Sequence, residues 1–336
     1  MGAHFPTPRM ANRSLHAFGS PWPHRLAVVT LLCTLVLIFV GGVVTNTGSG
    51  LAVPDWPTTF GYNMFTYPPS MMVGGILYEH SHRLIGSLVG MLTVAFVVTL
   101  WRADTRSWVR WLGVVAVLAV IAQGVLGGMR VVLLQHGLAI VHGCFAHAFL
   151  GLMVGLSVCT SRWWHTAADT ARVAEAPALR TVAWVTLAVV YTQIIFGALL
   201  THTGTRLALH LALAGGVVLS ASLLSVWILS GYPERRELRR PALVLIALVV
   251  LQLSLGLGAY FYRFTSMNQA MSPTIGLGFL TIHRLNGACV LAATAVLAVI
   301  LSRLAGLARH LPAGTSGATT TRHGQMPVRR EGEVLA

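Results

Sequence analysis

The sequence contains no lysine and little acid: all 23 basic residues are arginine, against nine aspartates and glutamates in 336 residues. Charged residues make up 10% of the chain, where a soluble domain carries about 25%. That shortage excludes an ordinary cytosolic enzyme and a disordered segment. Cysteine is scarce too. Cys33, Cys144, Cys159 and Cys289 contain no CxxC pair and all fall within apolar runs, which excludes a secreted disulfide scaffold and leaves them as small apolar residues. What fills the chain instead is hydrophobic sequence, 55% of it.

A membrane-spanning helix needs roughly 20 mostly apolar residues. Eight stretches qualify, at about 26–47, 73–101, 108–131, 136–160, 179–200, 206–229, 241–262 and 275–304. The net charge of +14 sorts along them. The tail 1–25 carries Arg9, Arg13 and Arg25, and the 2–3 connection Arg102, Arg106 and Arg110. The 4–5 linker, 161–178 and its edge, carries Arg162, Arg172 and Arg180. The 6–7 connection carries Arg235, Arg236, Arg239 and Arg240, and the C-terminal end Arg303, Arg309, Arg322, Arg329 and Arg330. All of these fall on one side, against Arg130, Arg206 and Arg263 in short loops on the other. This is the positive-inside pattern, with both termini cytoplasmic, including the C-tail 305–336. The charge is therefore an orientation signal, and no nucleic-acid partner is implied.

The spans repeat. Thr45-Asn46-Thr47-Gly48 after span one matches Thr201-His202-Thr203-Gly204 after span five. Q-x-x-x-G recurs as Gln123–Gly127, Gln193–Gly197 and Gln252–Gly256 in spans three, five and seven. The expected fold is an all-α integral membrane protein of eight transmembrane helices, arranged as two parallel four-helix-bundle repeats over 26–160 and 179–304. The first repeat carries a long outer loop, 48–72.

Ionisable residues inside spans are costly and mark function by default. His80 and His82 lie in span two, His142 and His147 in span four, His210 in span six and His283 in span eight, with none inside an odd span. His82, His142, His210 and His283 share one depth near the outer face. Two bis-histidine sites, one per repeat, are expected. Zinc needs four ligands, and a di-iron site needs carboxylates that only Glu79 supplies here. Haem, with two axial imidazoles and a large apolar ring, fits better. Arg83 and Arg284 each follow a site histidine and are candidates to pair with haem propionates. Glu79, three residues before His82, shares its helix face. His80 and His147 point off those faces and read as packing or hydrogen-bonding residues. His136 and His202 at span ends, and His4, His16, His24, His165, His310 and His323 in tails and linker, are given no role.

The stretch GGVVTNTGSGLAVPDWPTTFG (41–61), then Glu79-His-Ser-His82-Arg83, with Val141-His142, Leu207-Ala-Leu-His210 and His283-Arg284-Leu-Asn286, resembles the haem A synthases of cytochrome oxidase assembly. The resemblance implies an oxidoreductase that converts the C8 methyl of haem O to a formyl group by successive hydroxylations. It implies a haem b between His210 and His283, and haem O, becoming haem A, between His82 and His142. It implies Glu79 as the essential glutamate. It also implies a multi-pass protein of the bacterial inner membrane with its haem sites near the outer face. Candidate partners are a haem O synthase, oxidase assembly factors, the lipid bilayer, an unassigned electron donor and a second copy of the chain. One departure is plain. Many members carry two cysteines in the 1–2 loop, where this chain has Val53 and Thr59, so a thiol relay there is excluded. Pro54-Asp55-Trp56-Pro57 in that loop reads as a lid, with Asp55 orienting groups beneath it.

Two other readings share the four histidines. A di-haem b-type electron-transfer cytochrome would not need the asymmetry of Glu79 and the long loop. A haem-delivery or transport protein would usually show broken helices around a midplane site.

Overall fold

The computed structural model describes residues 20–167 and 176–309. Eight of its helices are long and apolar enough to cross a membrane. They are α1 (Trp22–Asn46), α2 (Gly75–Ala103), α3 (Ser107–Val132), α4 (His136–Cys159), α6 (Ala176–Thr203), α7 (Leu207–Gly231), α8 (Arg236–Phe264) and α9 (Pro273–Arg309). A short α5 (Arg162–Thr166) follows α4. Its first turn is capped by Ser161, whose hydroxyl accepts from the Trp164 backbone N–H at 3.3 Å. Among the described residues there is no β-ladder beyond one isolated bridge, Thr59–Tyr62. In lipid every backbone polar group must be satisfied within its own segment, so apolar runs of this length have to be helices.

All eight predicted spans are present, and most are longer than predicted at the arginine-rich end. α9 is 37 residues long and runs to Arg309, well past residue 304. Ala305 is fully buried in that extension, continuing the buried face of Leu301 and Leu304 just before it, which is why it stays helical. α8 begins at Arg236 rather than 241, although Pro241 leaves the Glu237 carbonyl without its helical donor. Arg130 and His202, both expected in loops, lie in the last turns of α3 and α6. The expectations attached to His4, His16, His310 and His323, and to Arg9, Arg13, Arg172, Arg322, Arg329 and Arg330, concern positions outside the described residues.

Helix α1 packs on α2 and α4, and α3 packs on the same two. Helices α6 to α9 repeat the scheme: α6 and α8 each pack on α7 and α9. α9 also packs on α1 and α4, and α4 on α6, which joins the two sets. The buried apolar clusters are polarised. In the first set they comprise Val89, Phe96 and Leu100 of α2, Val109 and Ala116 of α3, and Phe149, Met153 and Leu156 of α4, with Ala27 of α1. In the second they include Leu179 and Val190 of α6, Leu224 of α7, Leu245 of α8 and Leu297 of α9. Every one of these residues lies between the histidine level and the arginine-rich end. Towards the end that bears the 48–72 loop, the helices present glycines and histidines to one another instead.

Aromatic residues mark the arginine-rich end. Arg106 sits over Trp108 at 5.7 Å, Arg110 over Trp101 at 5.6 Å and Arg303 over Trp164 at 5.1 Å. Such amphipathic pairs suit a membrane–water boundary. In the α2–α3 turn, the Asp104 carboxylate accepts from the Arg106 backbone N–H and from its guanidinium Nε, both at 2.9 Å. Burial acts to raise the Asp104 pKa, but these bonds and the Arg106 charge outweigh it and hold the group below the usual carboxylate range.

Candidate haem site

The four histidines come together as two pairs of near-identical geometry. The rings of His82 (α2) and His142 (α4) have centroids 6.4 Å apart at an interplanar angle of 79°. Those of His210 (α7) and His283 (α9) are 6.4 Å apart at 74°. Each ring lies against a glycine of a neighbouring helix. A methyl group built on Gly41 would sit 2.9 Å from Cε1 of His82, and one on Gly127 would sit 3.1 Å from that of His142. On Gly197 and Gly256 it would sit 3.2 and 3.0 Å from Cε1 of His210 and His283. The glycine of the Q-x-x-x-G repeat is therefore the floor under an imidazole, and Gly41 is its counterpart in α1.

The glutamines of the same repeat hold the helices that carry the histidines. Gln123 Nε2 donates to the His142 carbonyl at 3.2 Å and Gln193 Nε2 to the His210 carbonyl at 3.0 Å. Gln252 Nε2 lies 3.4 Å from His283 Nε2, and Asn286 Nδ2 donates to Gln252 Oε1 at 2.7 Å. The Nδ1 atom of all four histidines is buried without a well-formed hydrogen bond. The backbone carbonyls facing the rings belong to Leu37, Gln123, Gln193 and Gln252, one turn before each glycine.

Two imidazoles that bind one metal from opposite sides, at roughly 2.0–2.1 Å per bond, put their ring centres about 6.3 Å apart. Both pairs meet that spacing. No group of three or more His, Cys, Asp or Glu side chains comes together among the described residues. The donor set is thus two imidazoles per site, in an apolar surround whose packed core stops below them, and it fits a bis-histidine haem.

Beyond the rings the two sites differ. Glu79 is buried, 4% exposed, on α2. Its Oε1 pairs with Arg83 Nη2 at 2.9 Å, and its Oε2 accepts from the Val53 backbone N–H at 2.9 Å. Arg83 Nη1 donates to the carbonyls of Asp55 at 2.7 Å and Thr58 at 3.0 Å, and Nη2 also donates to that of Val53 at 3.1 Å. Four acceptors match the four Nη hydrogens, so this guanidinium holds the 48–72 loop onto α2. Thr59 Oγ1 meets His80 Nδ1 at 3.1 Å, and Tyr67 covers the same imidazole at 5.1 Å. Trp56 lies flat on α3 at Gly128, where an added Cβ would be 2.3 Å from the indole. Asp55 ties the loop to itself, accepting from Thr58 Oγ1 at 2.5 Å and from the backbone N–H groups of Phe60 at 2.7 Å and Gly61 at 2.8 Å. Partial burial acts to raise its pKa, and the three hydrogen bonds together overcome that and lower it.

Arg284 lies in the seam between the two helix sets, its charge acting on His283 and Arg263 of its own set. Its Cδ lies 3.6 Å from the position a Cβ on Gly42 of α1 would take. Its charge also reaches His147 of α4, whose Nδ1 donates to the Gly143 carbonyl at 2.8 Å. Asn46 donates to Thr281 Oγ1 at 2.9 Å and the Tyr191 hydroxyl to the Cys144 carbonyl at 3.1 Å across the same seam. Sequence reasoning missed Arg130. Its guanidinium tucks under Gly50, where an added Cβ would lie 1.8 Å from Nη2, and its charge reaches His82, His142 and Glu79.

Residues 24–216 match the family model for the cytochrome oxidase assembly protein. The chain belongs to that family. The matched segment takes in His82, His142 and His210 and ends before His283. Similar curated proteins are haem A synthases. The one from Shouchella clausii is 39% identical over 116 residues, 34% of this chain and 37% of that protein. The one from Halalkalibacterium halodurans is 29% identical over 148 residues, 44% of this chain and 42% of that protein. The family member described here therefore spans about two-fifths of the length of these relatives in the matched stretches.

Proposed function

We propose that this multi-pass membrane protein is a haem A synthase, which oxidises the C8 methyl of haem O to a formyl group through successive hydroxylations. His82 and His142 hold the substrate haem O, and His210 and His283 hold a resident haem b. When bound, haem b supplies one-electron transfer. The observation that carries the reading is two histidine pairs of equal spacing with unequal surroundings: only the first has an acid and a fastened loop. A carrier that only relays electrons needs no such difference, and continuous helices through both sites speak against a transporter.

The protein's own residues divide the work. The imidazoles of each pair would hold the group between them, with the glycine floors and the Gln123, Gln193 and Gln252 amides fixing where each ring stands. The loop, held by Glu79 and Arg83, screens the first pair from water, which strengthens every charge interaction beneath it. Glu79 is the buried carboxylate beneath that loop among the described residues and can take or return a proton at Oε1 or Oε2 once the loop shifts. Arg284, in the seam between the two helix sets and next to His283, would be the residue to pair with a carboxylate of a group held by His210 and His283. Arg83 does not keep that propionate role, because its Nη donors serve the loop. The site lies near the outer face of a bacterial inner membrane, with both termini cytoplasmic and a haem O synthase as the donor of so apolar a substrate.

Expression with a haem O source, followed by chromatography of extracted haems, tests the reading. Haem A or its hydroxylated precursor is expected. Absence of both with an electron donor present overturns it.

A further inference from the structure

The first histidine pair has two arginines at its mouth, and they are not equivalent. Arg83 is matched by four acceptors, one of them Glu79. Arg130 makes no hydrogen bond and no ion pair within 4 Å among the described residues. Glu79, the one acid its charge reaches, is already paired with Arg83. Arg130 ends α3, where a cation suits the helix dipole, yet it touches none of the last carbonyls of that helix. It is half-buried instead beneath Gly50, a position where any side chain would collide with its guanidinium. Gly50 itself is buried. An arginine placed that way, with its donors free and a surplus positive charge around it, requires an anion to complete it.

We propose that Arg130 is the carboxylate clamp of the first site: its guanidinium grips a propionate of the tetrapyrrole held between His82 and His142, and so sets the rotation of the ring about the two imidazoles. This rests on the reading of that pair as the haem O site. A planar five-donor fork matches a carboxylate through two parallel bonds, which a lysine cannot do. Fixing the acid edge fixes which methyl faces Glu79. Arg130 is in this sense a positioning residue for the proposed substrate chemistry, and it acts at the propionate edge of the tetrapyrrole, the edge that in haem O also carries the C8 methyl.

The test is a spectral titration of the full-length, detergent-solubilised chain, carrying its b-type haem, with haem O and with haem O dimethyl ester. The unaltered chain should bind the diacid roughly ten- to a hundredfold more tightly than the ester, the range of one charge-assisted contact. Arg130→Gln should bind the diacid as weakly as the unaltered chain binds the ester and should not discriminate between them; Arg130→Lys should recover part of the preference. Retained b-type haem in Arg130→Gln shows that the fold survives. The ester comparison on the unaltered chain needs no variant at all. Equal affinity for diacid and ester in the unaltered chain, or full discrimination in Arg130→Gln, overturns the clamp. If instead His82→Ala leaves haem O binding untouched, the pair is not the haem O site, and both the clamp and the reading beneath it fall.

Discussion

The glycine floors make a prediction that separates packing at the site from stability of the fold. In Gly256→Ala the new methyl would lie 3.0 Å from His283 Cε1. Carbon atoms in contact settle at about 3.5–4.0 Å, so the imidazole or α8 must retreat by roughly 0.5–1 Å. Ligand constellations tolerate about 0.5 Å before they loosen. Overpacking of this kind costs about 1–3 kcal/mol, which converts to roughly 5- to 150-fold weaker retention of the b-type haem. Helix propensity works in the opposite direction, since alanine in a helix interior is about 0.5–1 kcal/mol better than glycine. The haem-free chain should therefore be no less stable to heat while its haem content falls. Gly197→Ala, with 3.2 Å to His210, should show a milder form of the same loss. Gly306→Ala, where nothing lies within 4 Å of the added atom, should show none. The assay is haem per protein by pyridine haemochrome, together with the half-time of haem transfer to an acceptor globin. Wild-type haem content and half-time in Gly256→Ala would refute the idea that these glycines exist to seat the rings.

Other outcomes follow from the same geometry. Removing both ligands of the second pair, His210→Ala with His283→Ala, should abolish the low-spin b-type spectrum of the purified protein, and an unaltered spectrum would sink that assignment. Glu79→Gln keeps one oxygen for the Val53 N–H but loses the ion pair with Arg83. It should retain b-type haem while haem A formation drops at least tenfold, measured by haem chromatography. Asp55→Asn should loosen the 55–61 turn and raise protease sensitivity at the outer loop. The Asp55 pKa is lowered on folding, so its contribution is present above the unfolded value of about 3.9 and is lost as pH falls below it. Acid below about pH 4 should then mimic Asp55→Asn in the unaltered chain, and a cleavage rate flat across that window would count against the turn.

How much of this was legible without coordinates depends on what each residue type reveals. Length and hydropathy fixed eight spans, because lipid leaves a 20-residue apolar run no alternative to helix. Depth was legible as well: four histidines at one level could be read from their distance to the helix ends. Direction around the helix was not always. His80 and His147 were read off the site face by the 100° step, and they bond to Thr59 and to the Gly143 carbonyl. Arg83 was expected to face a propionate, and it reaches the loop instead, because a guanidinium on a long stem can reach several partners from one Cα position. Arg130 was hidden for a different reason. Counted as a loop charge, it carried only an orientation signal, and nothing in the sequence shows that Gly50 folds down over it. The glycine floors were masked by how common small residues are between membrane helices of every kind.

The loop gives the asymmetry between the two sites its physical content. In the family that this chain resembles, many members have a cysteine pair where Val53 and Thr59 stand here. Both positions are fully buried. Both bond to α2, Val53 through its N–H to Glu79 and Thr59 through its hydroxyl to His80. Arg83 adds three bonds to loop carbonyls. Each such bond contributes on the order of 1 kcal/mol net, so the fastening amounts to a few kcal/mol and can reopen within the time of a catalytic cycle. On the proposed reading, a site that admits haem O and releases haem A needs such a closure. Among the described residues no comparably long loop is fastened over the second pair, where residues 265–272 join α8 to α9. Its end of the bundle is crossed by the short turn at Arg206, whose left-handed residue (φ 73°) starts α7, and by Arg263 donating to the Thr201 carbonyl at 3.0 Å. Equal histidine pairs and spacing thus would not by themselves separate the proposed resident-haem site from the proposed substrate site. On the proposed reading, what distinguishes them is whether the rim over the histidines is a polar latch or a fixed turn, and Glu79 is bonded into that latch.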